Sequence, residues 1–329
     1  MLKGRVRKKG KLVGWPKVRR ILFILSFVVV PLVHFAVFYL YVNFDSFFMA
    51  FCNVENGEVK FVGLNNFTWI FEMFRKSREL ADVLPATENL LIATRNTFIT
   101  FGIRMILFPV GMFVSYFIYK KIFCAGFFRV VFYLPAIVSS VVISFFYVQL
   151  NDPGTFFSGW VGKMVGLSGE ALERFAPLYD SRYANFVVLL EVIWLGIPSN
   201  LILWGGAFAR IPDSVIESAR LDGVNWVQEM FRIILPCVWP TFVLLVITSL
   251  AGVFGATGNV FLLTDKGKYN TQTLSNWLYC KVLSVTNNPT SASTLYYVSA
   301  LGMMMTVISC GIAVLVRFVL TRKVEEVEY

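Results

Sequence analysis

The sequence predicts an all-α integral membrane protein with six transmembrane helices. Of the 329 residues, 57% are hydrophobic and only 15% are charged, and the mean hydropathy is +0.67. A soluble domain carries about 25% charged residues, so this chain has too few charges to cover a soluble surface. Six apolar stretches reach the roughly 20 residues that a bilayer requires. They are Ile21–Val42, Thr97–Tyr119, Phe127–Leu150, Asn185–Phe208, Pro236–Gly258 and Leu295–Leu320.

The basic tail of residues 1–20 predicts the orientation of these spans. It contains nine Lys and Arg residues and no acidic residue. Nucleic-acid binding is the alternative interpretation, but the position directly before an apolar run favours a cytoplasmic anchor. The first span is too long for a signal-peptide core and no small-x-small site follows it, so we expect it to stay uncleaved. Six spans then return the tail of residues 321–329 to the cytoplasm.

The segments between the spans agree with this orientation, with one exception. The loop after the second span contains Lys120, Lys121 and Arg129 and no acid, as the positive-inside rule expects. The external segment 43–96 has seven acids against five bases. The cytoplasmic loop 210–235 is poorly basic, with four acids and three bases. Its charges require another explanation.

Two charged residues fall inside the spans. Arg104 and Glu191 both lie about 10 Å from the external end of their spans, at 1.5 Å per residue. Intramembrane charges usually pair or face water. We therefore predict an Arg104–Glu191 pair that sets helix packing, with substrate contact by Glu191 as the alternative role.

Several functional classes lack the residues that they need. His34 is the one histidine, so zinc chemistry with several His ligands is excluded, and neither HExxH nor GxxxxGKS/T occurs. We therefore expect no metal, no cofactor and no ATP site on this chain, and no clustered residues suggest a membrane enzyme. No polar re-entrant loop suggests a channel. Cys52 and Cys280 both fall in expected external segments, so a disulfide between them stays open.

The cytoplasmic loop Ile211–Pro236 has its own local structure signals. They predict two short helices joined by a sharp turn. Gly223 is expected to be the left-handed residue that ends the first helix. Asn225 and Gln228, three positions apart, predict a capping box at the start of the second helix.

The same loop carries a specific motif. The pattern Glu-x-Ala-x3-Gly-x9-Ile-x-Leu-Pro, from Glu217 to Pro236, resembles the EAA loop of binding-protein-dependent ABC importer permeases. Ser218 replaces the usual second alanine, which is a small-for-small change. Other family motifs resemble, in chain order, the segments Gly63–Phe67, Arg95–Thr97, Phe128–Pro135 and Leu263–Lys268. In the last segment Lys266 and Lys268 replace a Gly and a Pro of the family pattern.

The resemblance covers roughly residues 15–323 and is strongest to permeases of the maltose, lactose and glycerol-phosphate type. It implies the type I ABC importer permease fold, with a core domain over residues 97–320, in the cell membrane of a prokaryote. It also implies a second permease subunit, two cytoplasmic ATPases that hold ATP and Mg, and an extracytoplasmic solute-binding protein. The residues implied in ATPase coupling are Glu217, Ser218, Ala219, Arg220, Asp222, Gly223, Ile233, Leu235 and Pro236.

The resemblance further implies a sugar path between the fourth and fifth spans. The matching positions are Leu195, Gly196, Ser199, Asn200, Ser249, Val253 and Ala256. Tight helix packing selects the same small residues, which is the alternative interpretation. The mostly uncharged positions favour a neutral carbohydrate, although Arg104 is an exception. The implied function is that of a permease for a sugar or oligosaccharide; the alternative is an ion-coupled secondary transporter that uses Arg104 and Glu191.

Overall fold

A computed structural model describes residues 17–321 of the chain, apart from 56, 82, 86, 256–258 and 288–292. The described part is mostly helical and has one two-stranded hairpin. Four helices are long and apolar enough to cross a membrane, and the number rises to six if each of two bent helix pairs forms one span. The predicted path residue Ala256 and most of the predicted tails 1–20 and 321–329, namely residues 1–16 and 322–329, lie outside the described residues.

The first long helix is exposed along its whole apolar length. Helix α1 (Lys17–Phe35) continues through a π-helical stretch (Ala36–Tyr41) into α2 (Val42–Met49). No residue in its most apolar window is buried. Only α2 at its end packs closely on the last helix of the chain. An apolar surface of this size requires lipid or a protein neighbour.

The segment 43–96, which the sequence predicts to be external, contains a hairpin and a helix. Strands β1 (Cys52–Glu55) and β2 (Glu58–Phe61) form an antiparallel hairpin. Helix α3 (Asn65–Glu79) follows and packs on two long helices, Leu90–Tyr119 and Ser293–Thr321. The buried Asn66 side chain donates hydrogen bonds to the carbonyl oxygens of Ala50 at 3.0 Å and Cys52 at 2.7 Å. The amide of the Gly63–Phe67 motif therefore fastens the hairpin to α3.

The second span is the central helix of the fold. Helix α4 (Leu90–Tyr119) begins seven residues before the predicted Thr97, because Asn89 caps it. The Asn89 side chain accepts hydrogen bonds from the backbone N–H groups of Leu91 and Ile92. Helix α4 packs on α3 and on several later helices of the chain.

The third predicted span is broken. Helices α5 (Ala125–Ile137) and α6 (Ser140–Leu150) meet at an angle of 103°. Val138 and Ser139 between them are extended, with ψ of 143° and 134°. Non-helical backbone at membrane depth requires protein or a water-lined cavity around it. The break places the first residue of α6 at such a cavity.

The fourth span is nearly continuous and follows a short external region. That region contains α7 (Phe156–Met164), α8 (Glu170–Glu173) and a 3₁₀ turn (Pro177–Tyr179). The span itself consists of α9 (Ala184–Gly196), a 3₁₀ turn (Pro198–Asn200) and α10 (Leu201–Phe208).

The loop 210–235 leads into the fifth predicted span, which is bent. Its helices are α11 (Asp213–Leu221), α12 (Trp226–Gln228), a π-helical stretch (Glu229–Ile234), α13 (Leu235–Cys237) and α14 (Trp239–Ala251). The segment Trp226–Cys237 meets α14 at 79°. Pro236 and Pro240 lie on the two sides of this bend, where each removes a backbone N–H donor.

The last part of the chain contains α15 (Val260–Leu263), α16 (Leu274–Asn287) and α17 (Ser293–Thr321). The loop 264–273 between α15 and α16 is tied to α4. The Asn96 side chain donates hydrogen bonds to the carbonyl oxygens of Asn270 at 2.7 Å and Gln272 at 2.9 Å. Thr97 Oγ1 accepts a bond from the backbone N–H of Leu274 at 2.9 Å. The Arg95–Thr97 segment and the loop that follows Leu263 therefore form one connected structure.

Cys52 and Cys280, which the sequence predicts to be external, do not form a disulfide. Cys52 is buried in β1 beside Asn66, while Cys280 lies in α16. Cys280 Sγ instead donates a weak 3.7 Å hydrogen bond to the carbonyl oxygen of Lys266. Partial burial raises the pKa of the Cys280 thiol above its usual value. The disulfide that the sequence left open is therefore absent from this structure.

Candidate functional site

The turn of the loop 210–235 is a glycine C-cap. Gly223 has φ +71°, in the left-handed region. The backbone N–H of Val224 donates a 3.2 Å hydrogen bond to the carbonyl oxygen of Ala219. This is the long bond of a Schellman motif, in which the residue two positions after the cap closes back onto the helix. The prediction that Gly223 ends the first helix of the loop is confirmed.

The second helix of the loop begins with the predicted capping box. The Asn225 side chain accepts a hydrogen bond from the Gln228 N–H at 2.9 Å, and Gln228 Oε1 accepts one from the Asn225 N–H at 3.2 Å. Both helix ends at the turn are satisfied within a few residues of sequence. The turn therefore has a defined shape that local interactions determine.

The motif residues divide between a buried and an exposed side of the loop. Ala219 is only 4% exposed, and its neighbour Ile216 is 6% exposed. Glu217, Ser218, Asp222 and Gly223 are exposed, while Ile233, Leu235 and Pro236 are half-buried. The side chain of Arg220 lies outside what the structure describes. Leu221, at 89% exposure, and the exposed Trp226 form an apolar tip on this side of the molecule.

A buried ion pair joins the loop to the end of α4. Lys120 Nζ lies 2.6 Å from Glu229 Oε1, and the Glu229 side chain is 5% exposed. Ring contacts at centroid distances of 5.7 Å and 6.0 Å pair Phe117 with Trp226 and Phe113 with Phe231. Glu229, one of the four acids of the loop 210–235, thus neutralises Lys120. This pairing accounts for part of the loop's excess of acidic over basic residues.

One apolar cluster extends from the loop toward the middle of the molecule. It includes Ile216, Met230 and Ile234 from the loop, together with Trp204 and Phe108 from the spans. Phe108 and Trp204 have ring centroids 5.4 Å apart. Phe108 also lines the cavity described next, so the loop and the cavity share one continuous packed core.

A cavity of ≈480 Å³ lies between α4, the fourth span and α14. Its lining combines small residues with hydroxyl and amide groups. The lining residues are Phe101, Arg104, Met105, Phe108, Ser140, Glu191, Val192, Leu195, Gly196, Ser199, Asn200, Thr248, Ser249, Gly252, Gly255 and Asn259.

Most of the predicted path residues meet at this cavity. Five of the seven line it, namely Leu195, Gly196, Ser199, Asn200 and Ser249. Val253 is 4% exposed and does not line the cavity, and Ala256 is not described. Trp204 is completely buried in the apolar cluster, so it offers no surface to a sugar.

The two intramembrane charges also reach this cavity, but they are not in direct contact. Arg104 and Glu191 both line it, and neither forms an ion pair with the other within 4.0 Å. Asn259 Nδ2 instead donates a 2.7 Å hydrogen bond to Glu191 Oε1. Arg104 and Glu191 do attract each other electrostatically at longer range.

Sequence reasoning missed several lining residues. Phe101, Met105 and Phe108 lie three residues before, one after and four after Arg104. Helical spacing around Arg104 would have indicated Phe101 and Phe108. Asn259 carries no such signal, because it follows the predicted end of the fifth span at Gly258 and reaches Glu191 only through the fold.

The chain is similar over most of its length to permeases of sugar transporters. It is 24% identical to the multiple sugar-binding transport system permease protein MsmF of Streptococcus mutans, over 91% of this chain and 95% of that protein. It is 25% identical to the diacetylchitobiose uptake system permease protein NgcF of Streptomyces coelicolor, over 67% of this chain and 61% of that protein. No protein-family model matches the chain.

The fold is also that of a solved ABC transporter chain. A crystal structure of a bacterial ABC transporter involved in the import of the acidic polysaccharide alginate contains a chain that matches with a TM-score of 0.70. The match has 20% identity and covers 94% of this chain and 98% of that chain. A structure of the bacterial alginate transporter in complex with an alginate pentasaccharide-bound periplasmic protein matches with a TM-score of 0.67, at 20% identity, over 91% of this chain and 94% of that chain.

These relatives are ABC transporter permeases, and they do not favour an ion-coupled secondary transporter. Membrane localisation follows from the same relatives and from the long apolar helices. The resemblance to permease subunits of sugar ABC importers, predicted from the loop Glu217–Pro236, is therefore confirmed.

Proposed function

We propose that the chain is a permease subunit of an ATP-driven, binding-protein-dependent importer of a sugar or oligosaccharide. In this proposal six spans cross the cell membrane of a prokaryote, with both termini in the cytoplasm. A second permease completes the pathway, two ATPase subunits hold ATP and Mg, and an extracytoplasmic binding protein delivers the substrate. This chain binds no cofactor and catalyses no covalent step.

The observation that carries the proposal is the shape and attachment of the cytoplasmic loop. The Gly223 turn and the Asn225 capping box present an apolar tip, with Leu221 89% exposed. An exposed leucine and tryptophan on a locally rigid knob suit a groove on a protein partner. The exposed Glu217 and Asp222 would lie at the rim of such an interface.

The loop is also attached to the helix that lines the cavity. Lys120, which pairs with Glu229 of the loop, follows Arg104 by sixteen positions. That separation is about 24 Å along one helix, at 1.5 Å per residue. A movement of the ATPase that displaces the loop would thereby displace one wall of the cavity. The loaded binding protein would bias the equilibrium between inward and outward states through its different affinity for each.

The test is a mild-detergent pull-down of the tagged chain from its native membrane, followed by mass spectrometry. We expect a second permease, an ATPase and a binding protein. The Glu217→Lys variant should retain the second permease and lose the ATPase, because only the proposed ATPase interface changes. A wild-type chain that yields no ATPase, even after cross-linking at position 217, would contradict the proposal.

A further inference from the structure

Arg104 is the accessible charge of the cavity. Its side chain is exposed there. In the part of the chain that the structure describes, no side chain or backbone oxygen accepts a hydrogen bond from it and no carboxylate pairs with it within 4.0 Å. An arginine offers five N–H donors in a planar fork. A charge inside a membrane span is costly unless it serves a partner or a pathway.

Glu191, the other charged residue of the lining, is much less accessible. It is 1% exposed, and one of its carboxylate oxygens already accepts the Asn259 hydrogen bond. Its charge weakens the positive potential of Arg104 in the cavity, but its side chain presents almost no surface to a bound molecule. A ligand in the cavity therefore meets the guanidinium group far more than the carboxylate.

The start of α6 adds to the positive potential. This eleven-residue helix begins at Ser140, which lines the cavity, and no side chain caps it. Uncapped N–H groups at a helix start carry a partial positive charge. Broken membrane helices can direct such ends at anionic groups of a substrate. The C-terminal end of α14 could offset this charge through its carbonyl oxygens. The Thr248 and Leu250 carbonyl oxygens, however, already accept backbone hydrogen bonds.

The rest of the polar lining is neutral. Ser199, Asn200, Thr248 and Ser249 offer hydroxyl and amide groups, which suit the hydroxyl groups of a sugar ring. We therefore propose, on the basis of the proposed function, that the substrate is an acidic oligosaccharide that carries a uronic carboxylate. Arg104 binds that carboxylate through two N–H groups and is the residue that selects the acidic sugar over a neutral one.

The test measures which oligosaccharides the cells remove from the medium. Cells with the intact transporter and cells in which this chain is deleted are grown in a partial hydrolysate that contains both neutral and uronate-bearing oligosaccharides. Liquid chromatography with mass spectrometry quantifies each oligosaccharide over time. We expect the deletion to abolish uptake of uronate-bearing species.

Variants then assign the selection to Arg104. Arg104→Gln should lower the ratio of acidic to neutral uptake about tenfold or more, because a charge-assisted bidentate contact is lost. Arg104→Lys should retain part of this ratio, since the charge stays but the fork geometry does not. If Arg104→Gln fails to assemble, the matched pair Ser249→Asp and Ser249→Asn serves instead. The aspartate should lower the ratio of acidic to neutral uptake, and the asparagine should not.

Each outcome is decisive. If the cells remove only neutral oligosaccharides, the proposal of an acidic substrate is wrong. It is also wrong if the ratio of acidic to neutral uptake is unchanged in both Arg104→Gln and Ser249→Asp. Either result would leave the proposed sugar importer uncontradicted. Uptake that is identical with and without the chain, for every oligosaccharide, would instead contradict the proposed function itself.

Discussion

At Gly223 the backbone conformation, and not the available space, restricts which residue can stand there. Its φ is +71°, and a Cβ added there would meet no atom within 4 Å. Space is therefore available for a side chain, but an L-residue in this conformation costs about 1–2 kcal/mol. Asparagine tolerates the left-handed region better than other residues, whereas a β-branched residue does not.

We expect Gly223→Val to reduce uptake by up to about tenfold, since a cost of about 1.4 kcal/mol lowers the equilibrium constant of the native turn by that factor. Membrane abundance should stay normal, because the spans are unchanged. Gly223→Asn is the matched control and should transport at a rate close to wild type. Uptake assays with a membrane immunoblot measure both quantities. Equal uptake by the valine and asparagine variants would show that the turn is not limiting.

At the scale of secondary-structure elements, the buried pair Lys120–Glu229 joins the loop to α4. The side chains are 20% and 5% exposed. Removing one partner of a buried ion pair leaves an uncompensated charge and costs about 3–5 kcal/mol. Replacing both partners by apolar residues of similar size is often neutral.

We therefore expect Glu229→Leu to lower the thermal stability of the purified complex and to uncouple uptake from ATP hydrolysis. The double variant Lys120→Met with Glu229→Leu should recover most of the stability. Thermal unfolding in detergent and uptake in vesicles measure the two effects. A double variant less stable than Glu229→Leu alone would show that the charges themselves are required at this junction.

The loop 264–273 depends on α4 in a similar way. Four of its residues other than glycine have positive φ, namely Asp265, Lys266, Tyr269 and Asn270. Strained backbone of this kind persists only where surrounding interactions maintain it. The Asn96 amide supplies two of these interactions, through the carbonyl oxygens of Asn270 and Gln272.

We expect Asn96→Asp to increase amide hydrogen exchange across residues 264–273, because a carboxylate cannot donate to the two carbonyl oxygens. The central part of α4 should keep its protection. Ile99→Val, at an exposed position of the same helix, is the control and should leave the exchange of the loop unchanged. Unchanged exchange in Asn96→Asp would mean that other contacts maintain the strained loop.

At the scale of the whole molecule, two native cysteines report the proposed orientation. Cys124 is exposed in the loop between α4 and α5, and Cys280 is partly exposed in α16. The proposal places the first in the cytoplasm and the second outside. Burial raises the pKa of the Cys280 thiol, so less of the reactive thiolate is present at neutral pH.

A membrane-impermeant maleimide should therefore label Cys280 in intact cells, slowly at pH 7 and faster as the pH rises toward 9. Cys124 should react only after the membrane is permeabilised. Single Cys124→Ser and Cys280→Ser variants identify each signal by mass spectrometry. A reductant should not change Cys280 labelling, since the structure has no disulfide there. Labelling of Cys124 in intact cells would reverse the proposed topology.

The sequence by itself determined the features that depend on neighbouring residues. The membrane class follows from the 57% hydrophobic content. The helix end at Gly223 and the Asn225–Gln228 capping box each depend on residues within one or two helical turns. Such signals can be recognised in the sequence alone because the interacting groups are close along the chain. The motif of the same loop was specific enough to indicate the relatives.

Only the tertiary structure decided which distant groups meet. Asn259 bonds Glu191 across 68 positions, and Lys120 pairs with Glu229 across 109 positions. The sequence pattern predicted an Arg104–Glu191 pair because it gives the depth of each residue in the membrane. It does not give the direction in which each side chain points around its helix axis. The cavity wall likewise depends on the 103° break between α5 and α6, which places Ser140 beside Arg104 in one lining. Side-chain direction and helix breaks arise from packing between elements, and a single sequence does not encode them locally.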